Sequence, residues 1–297
     1  MNLQKDVPLA RFSTFRIGGR ADFVAHAQTK KDIEAAITYA EEKKIPFLCI
    51  GGGSNILFSD KGFRGLILRI EKKTIEKQSD GTFTVGAGVM NIELYREAKK
   101  NGFDFSPFYT IPGTIGGAVM GNAGVPAGEI KDVFVSAEMF NRQEKTWETH
   151  DAKFFDFSYR HTIFHARPEL RKKYILFSVT LSLPRERPEV IEKKATDFLT
   201  MRKEKQPWGK TGGSFFRNPP EGAAGYFLEK AGMKGTSCGD AFFSEKHANF
   251  MMNAGDATQK EIIELARLAK KTVWEKYKVE LQPEVRVIDE WGEGIKI

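Results

Sequence analysis

Cysteine is nearly absent, with only Cys49 and Cys238 in 297 residues. They stand far apart and give no metal or redox spacing. So few thiols exclude a disulfide scaffold and fit a reducing compartment. Cys49 lies in an apolar run and reads as a core residue. Histidine is scarce too, at five residues. His26, His150, His161 and His165 have no ligand spacing, so no metal centre is expected. No apolar run approaches membrane-spanning length, and no signal-peptide core opens the chain. The expectation is a soluble cytoplasmic protein without membrane insertion. Internal repeats and low-complexity segments are missing. No serine has the G-x-S-x-G setting or a nearby His and Asp that would make a hydrolase triad.

What is present suits a sizeable core: 41% hydrophobic residues and 24 phenylalanines. The length allows one large domain or two to three smaller ones. The formal charge of +7 points to an anionic partner. The basic residues are scattered, however, and interleaved with acids, as in Glu41-Glu42-Lys43-Lys44 and Arg202-Lys203-Glu204-Lys205. Such runs are solvated helix faces. Nucleic-acid binding would need clustered basic and aromatic residues, and none are found.

Two uncharged glycine stretches dominate the pattern. The longer runs Ile111-Pro112-Gly113-Thr114-Ile115-Gly116-Gly117-Ala118-Val119-Met120-Gly121-Asn122-Ala123-Gly124; the shorter is Ile50-Gly51-Gly52-Gly53-Ser54-Asn55. Each reads as a loop whose backbone comes close to something, with amides arranged to hold an anion. Together they suit an elongated ligand with a pyrophosphate in its middle; two tight turns in a β-rich core is the other reading. Neither has the G-x-G-x-x-G spacing or the P-loop lysine.

Around them the periodicity predicts elements in order. A helix with Ile33, Ala36, Ile37 and Ala40 on one face follows a Thr29 cap. Phe47–Ile50 reads as a buried strand. Residues 66–70, 83–88, 133–140, 146–149 and 175–183 are strand-like, with a helix near 92–99. A helix over 189–205 ends at Gln206-Pro207, the best domain boundary. Beyond it come a short helix over 223–231, a long one over 258–278 with Ile262, Ala266, Ala269, Val273 and Tyr277 on one face, and a strand over 283–288.

Seven blocks in order then carry a family resemblance: Thr14-Phe15-Arg16-Ile17-Gly18-Gly19, Gly51-Gly52-Gly53-Ser54-Asn55, Ile111-Pro112-Gly113-Thr114-Ile115-Gly116-Gly117, Tyr159-Arg160-His161-Thr162-Ile163-Phe164, Gly213-Ser214-Phe215-Phe216, Ser244-Glu245-Lys246-His247-Ala248-Asn249-Phe250 and Pro283-Glu284-Val285. They resemble the UDP-N-acetylenolpyruvoylglucosamine reductases, the MurB family. The resemblance implies an α+β fold: a bipartite FAD-binding domain of the vanillyl-alcohol-oxidase (PCMH) type and a smaller α+β substrate domain. In this chain the first would be 1–205, with subdomains of about 1–66 and 67–205 and a C-terminal strand in 285–297 returning to the first. The second would be 206–284. The implied reaction is reduction of an enolpyruvyl ether to a lactyl ether in peptidoglycan precursor synthesis. FAD would be bound non-covalently, NADPH would be co-substrate, and the enzyme would be a monomer acting on a UDP-sugar.

By resemblance, Arg160, Ser214 and Glu284 are catalytic. The chemistry agrees. Hydride goes to the terminal carbon and a proton to the carbon bearing the carboxylate. Between the two steps, charge collects as an enediolate that needs preorganised donors. Arg160 offers a permanent charge in fork geometry. Glu284, beside an anion, helps only when protonated, so a raised pKa is expected. Ser214, between two glycines and two phenylalanines, can donate the proton. The cofactor contacts implied are Gly51, Gly52, Gly53, Ser54 and Asn55, with Thr110, Ile111, Pro112, Gly113, Thr114, Gly116, Gly117, Asn122, Ala123 and Gly124. Lys205, Arg217, Asn218, His247 and Asn249 are candidates for substrate or NADPH.

Three departures stand out. Val125-Pro126-Ala127-Gly128 replaces the family's Ala-Tyr-Gly, Met120-Gly121 replaces its usual residues before Asn122, and Arg217 stands where lysine is common. The short interval from Arg160 to Ser214 resembles the compact subclass, which lacks an inserted tyrosine-bearing loop. One alternative is another flavin oxidoreductase of this fold with covalent flavin. The first glycine stretch has neither the His nor the Cys such an attachment needs. The other alternative is a non-catalytic basic nucleotide- or nucleic-acid-binding protein.

Overall fold

The computed structural model describes all 297 residues, Met1–Ile297. They divide into two compact units. The first comprises Met1–Gln4, Val24–Gly52 and Leu66–Met201; the second comprises Lys5–Phe23, Gly53–Gly65 and Arg202–Ile297. The chain passes from one unit to the other inside the strands Asn2–Pro8, Arg20–Ala27 and Phe63–Ile70 and inside the helix Pro188–Lys205.

In the first unit the helix Lys30–Lys43 forms as its pattern predicts. Thr29 and Asp32 make a reciprocal capping box, and Ile33, Ala36, Ile37 and Ala40 are buried. The following strand, Phe47–Ile50, pairs in parallel with Leu66–Arg69. Next comes a five-stranded sheet in the order Thr146–Asp151, Phe134–Asn141, Tyr174–Leu181, Phe83–Gly86, Ile75–Lys77. Every pairing in it is antiparallel. Tyr174–Leu181 is the central strand, and all but one of its residues are buried, as an apolar run covered on both faces should be.

The second unit is a four-stranded antiparallel sheet, Thr211–Ser214, Phe250–Asn253, Ala241–Phe243, Ser237–Cys238. The helix Gln259–Tyr277, capped by Thr258 with Glu261, buries Ile262, Ala266, Ala269 and Val273. Tyr277, placed on that face by spacing alone, is 37% exposed, because the helix ends there and leaves it on the rim. One core joins Phe15, Ile17 and Leu57 to Phe215, Phe216, Met251, Leu265 and Val285. The strand expected over 283–288 contracts to Arg286–Val287, which pairs in parallel with Ile56–Leu57; Pro283 has no N–H for a ladder. Asn2–Pro8, which carries no strong pattern, is a strand.

Asn253 ties this unit together. It is 5% exposed. Its Nδ2 donates to Phe15 O at 2.9 Å, and its Oδ1 accepts from Gly255 N and Ala257 N, both at 3.0 Å. Asn253→Ala strands three backbone groups, two of them in residues that are themselves buried, and should cost about 3 kcal/mol. The unfolding midpoint in urea should fall accordingly, while Thr258→Ala, a cap loss, should cost only about 1 kcal/mol.

Candidate active site

In the first unit the two glycine stretches meet. A Cβ on Gly51 would lie 2.6 Å from Thr114 Oγ1, and one on Gly52 2.7 Å from Gly113 Cα. Only glycine permits that approach. The longer stretch reads as a loop from its sequence, but Ile115–Gly121 is a short helix. Thr114 supplies the cap, accepting from Gly117 N at 3.4 Å. Gly116 lets the helix sit on Ala87, where a Cβ would come within 2.8 Å of another Cβ.

The helix corrects the expectation of a ligand-facing amide nest. Ile115 N donates to Val89 O, Gly116 N to Ala87 O, Ala118 N to Thr114 O, Asn122 N to Val119 O and Ala123 N to Ala118 O. Those donors serve the fold. The open part is the flank. Gly117 is exposed, and a Cβ there would meet only Thr114 Oγ1 at 3.6 Å; at Gly121 it would meet nothing within 4 Å. A side chain at either position would fill that face. Thr110 and Ile111 are half-buried and Pro112 is exposed. Sequence reasoning overlooks Asn91. It is 1% exposed, with Nδ2 on Ile111 O at 3.0 Å and its N–H on Gly113 O at 3.2 Å. An Asn opening a helix looks like a cap, so its sequence carries no signal of this task.

Arg160 lies in the same unit, in a tight turn where Ser158 and His161 exchange backbone bonds of 3.1 and 2.9 Å. Its φ is 52°, a left-handed conformation that other contacts must enforce. Asn122 Nδ2 donates to Ser158 O at 2.8 Å, and Thr162 Oγ1 to Met120 O at 2.9 Å. Glu129 Oε1 accepts from Arg160 N at 3.3 Å, and Glu129 Oε2 pairs with Lys131 at 2.9 Å. The guanidinium Nη2 donates to Gly124 O. Gly124–Val125 and Gly128–Glu129 form a small hairpin, so the unusual Val125-Pro126-Ala127 residues are its tip and flank. Both the guanidinium and the backbone of Arg160 are thus held by the arms of that hairpin. Asn122, read as a flavin contact, is fully buried; its Nδ2 goes to the Arg160 turn and its Oδ1 accepts from Lys131 N at 3.1 Å.

In the second unit Ser214 ends the strand Thr211–Ser214. The register slips between the pairs Thr211–Met252 and Ser214–Phe250. Gly213, at φ 83°, makes the bulge, a device that re-aims the next side chain. Gly212 lies on Phe15, where a Cβ would come within 2.2 Å of the ring. Ser214 is half-buried and the two phenylalanines after it are buried.

Glu284 is joined to the same segment. Its N–H donates to Phe215 O at 2.7 Å, and Arg217 N donates to Gln282 O at 3.0 Å. Asn55 Nδ2 donates to Glu284 O at 3.3 Å. Asn55 therefore belongs with Glu284 in the second unit, as do Gly53 and Ser54, while Gly51 and Gly52 belong to the first. Gly53 accepts Thr14 N on its carbonyl at 3.1 Å.

Of the remaining candidates, Lys205 is exposed at the end of its helix. Asn218 Oδ1 accepts from Ala224 N at 3.0 Å, starting the helix Ala224–Lys230. Arg217 keeps a buried Nε with no hydrogen-bond partner, which leaves it a donor to give. His247 Nδ1 accepts from Asn249 N at 3.1 Å, so its proton sits on Nε2. Burial pushes its pKa below the ordinary value, which keeps the ring neutral at pH 7.

Comparison with known proteins agrees with this anatomy. The family model "FAD binding domain" matches residues 21–150. The model "UDP-N-acetylenolpyruvoylglucosamine reductase, C-terminal domain" matches residues 204–288. The UDP-N-acetylenolpyruvoylglucosamine reductase of Caldicellulosiruptor bescii is 37% identical over 290 residues, covering 97% of this chain and 91% of the relative. That of Caldanaerobacter subterraneus subsp. tengcongensis is 36% identical, covering 95% and 92%. The crystal structure of the Thermus caldophilus enzyme superposes with a TM-score of 0.81 at 30% identity, covering 97% of this chain and 99% of that one. The α+β fold, with an FAD-binding domain of the vanillyl-alcohol-oxidase type and a smaller second domain, is the fold of these proteins. The chain belongs to the UDP-N-acetylenolpyruvoylglucosamine reductase (MurB) family.

Proposed function

We propose that the chain reduces UDP-N-acetylglucosamine enolpyruvate to UDP-N-acetylmuramate with NADPH, as an FAD-dependent oxidoreductase of peptidoglycan precursor synthesis. The observation that carries the reading is the tie between Ser214 and Glu284. The residue after Ser214 accepts the backbone N–H of Glu284 at 2.7 Å, so a hydroxyl donor and a carboxyl group share one short frame.

Side chains would intrude on the glycine face at Gly117 and Gly121, and Gly51 and Gly52 lie close against Gly113 and Thr114. Both features fit a flat, extended cofactor. When bound there, FAD supplies the transfer of hydride from NADPH to the terminal carbon of the enolpyruvyl group. Arg160 holds the carboxylate and takes up charge as the enediolate develops. Glu284, when protonated, is a donor for developing negative charge. Ser214 delivers the proton to the carbon bearing the carboxylate, which completes addition of two hydrogens. Arg217, with its unpartnered Nε, takes a phosphate of the UDP group, and Lys205 and Asn218 serve the same end of the substrate. In this reading the stretch 1–205 carries FAD binding and 206–284 carries substrate binding, while 5–23 and 53–65 pack in the compact unit of the second stretch.

No helix is long and apolar enough to cross a membrane. The enzyme works as a cytoplasmic monomer, where the UDP-sugar and NADPH are found. Incubating the purified protein with NADPH and UDP-N-acetylglucosamine enolpyruvate tests the activity. The expected product is heavier by two hydrogens, and an unchanged substrate mass with flavin-loaded protein overturns the reading.

The flavin is non-covalent. Neither glycine stretch contains His or Cys, and Cys49 lies in the strand Phe47–Ile50. Acid precipitation should carry all the yellow colour into the supernatant. Colour that stays with the washed, denatured pellet would contradict this.

A further inference from the structure

Asn249 stands among the candidate substrate ligands by sequence, but its geometry assigns it another task. It is 3% exposed. Its Oδ1 accepts from Phe216 N at 2.9 Å, and its Nδ2 donates to Phe216 O at 2.8 Å. Its own carbonyl accepts Phe215 N at 2.8 Å, and its N–H donates to His247 Nδ1. The side-chain amide thus reads both backbone groups of Phe216 as a neighbouring strand would, and the main chain takes Phe215. Every polar group of Asn249 is engaged within the protein.

Across the segment lies the other edge. Phe215 O accepts Glu284 N, Arg217 N donates to Gln282 O, and Phe216 bridges to Pro283. The ribbon 214–217 therefore runs between Asn249 on one side and 282–284 on the other. The bulge at Gly213, with φ 83°, interrupts the ladder just before Ser214. Ser214 itself pairs with Phe250, and the residues after it add the ties that run to Glu284.

We propose that Asn249 is a positioning residue that sets the Ser214 hydroxyl against Glu284, and that it does not bind substrate. The proposal rests on the reading of Ser214 as proton donor. A positioned donor misplaced by a fraction of an ångström to about 1 Å loses on the order of 10–100-fold in rate. Asn249 acts through Ser214, so the loss should appear only in the step that uses the Ser214 proton.

The test uses the flavin-loaded enzyme in anaerobic stopped flow, with equilibrium binding of UDP-N-acetylglucosamine enolpyruvate to the oxidised form. Asn249→Ala should be reduced by NADPH within about twofold of wild type, bind the UDP-sugar within about twofold, and reoxidise roughly 10–100-fold more slowly. Asn249→Asp, which keeps the acceptor for Phe216 N and loses the donor, should fall between them and covers the case in which the alanine variant does not fold. In a Ser214→Ala background, adding Asn249→Ala should cost little more, because two residues acting through one group are not additive. Weakened UDP-sugar binding that accounts for the lost turnover makes Asn249 a ligand and overturns the proposal. Unchanged reoxidation in Asn249→Ala overturns it too, as does full additivity in the double variant. If Ser214→Ala alone reoxidises normally, it is the reading of Ser214 that fails, and the two failures are told apart.

Discussion

Ser214→Ala should take up FAD, be bleached by NADPH at nearly the normal rate, and then reoxidise several orders of magnitude more slowly with the enolpyruvyl substrate. The two half-reactions separate at this residue because only the second needs a proton on carbon. A positioned proton donor contributes roughly 10²–10⁴-fold. The serine sits where the strand Thr211–Ser214 slips register past Phe250–Asn253, so replacing its hydroxyl by hydrogen removes the donor without touching a ladder bond. Ser214→Cys should recover part of the rate, since a thiol can still donate. Anaerobic stopped-flow absorbance resolves the steps. Equal slowing of bleaching and reoxidation would assign the serine to shaping the flavin site.

Arg160→Lys should be far more damaging than conservation of charge suggests. A lysine is a point charge and cannot make two parallel hydrogen bonds to a carboxylate. Loss of one transition-state donor costs on the order of 3 kcal/mol, about a hundredfold in rate. The structure adds a second reason. The guanidinium already donates to Gly124 O, which holds its plane in place, and an ammonium has no plane to hold. The main-chain contact to Glu129 at 3.3 Å survives the change, so the turn itself should stay folded. Steady-state turnover near wild type would remove Arg160 from the catalytic group.

Much of the fold is legible in the sequence alone. The buried face of Lys30–Lys43 and the order of strands from 83 to 181 follow from periodicity and punctuation, because local chemistry decides them. The strand Asn2–Pro8 and the shortened Arg286–Val287 do not follow, since pairing partners far away in sequence decide those. The glycine helix at Ile115–Gly121 is hidden for a sharper reason. Glycine is the poorest ordinary helix former, and only the Thr114 cap and the surface of Ala87 make a helix of it. In the candidate site, residue types with reactive groups are recognisable, whereas the amides that hold them are not. Asn91, Asn122 and Asn249 look alike in sequence: each could bind a ligand or a backbone. Only the hydrogen-bond geometry tells that each carries part of the scaffold.

The second unit's core draws on residues laid down at both extremes of synthesis. Phe15, Ile17 and Leu57 are made early, and their partners Phe215, Leu265 and Val285 follow about 160 residues or more later. During that interval three large apolar side chains have no finished core to enter, and the contacts that close it span most of the chain, the condition that slows folding. A fragment of 202–297 alone would lack Phe15 under Gly212 and the Ile56–Leu57 partner of Arg286–Val287. Expressed by itself it should expose that gap and aggregate, even though the family model for this region matches it as one continuous piece.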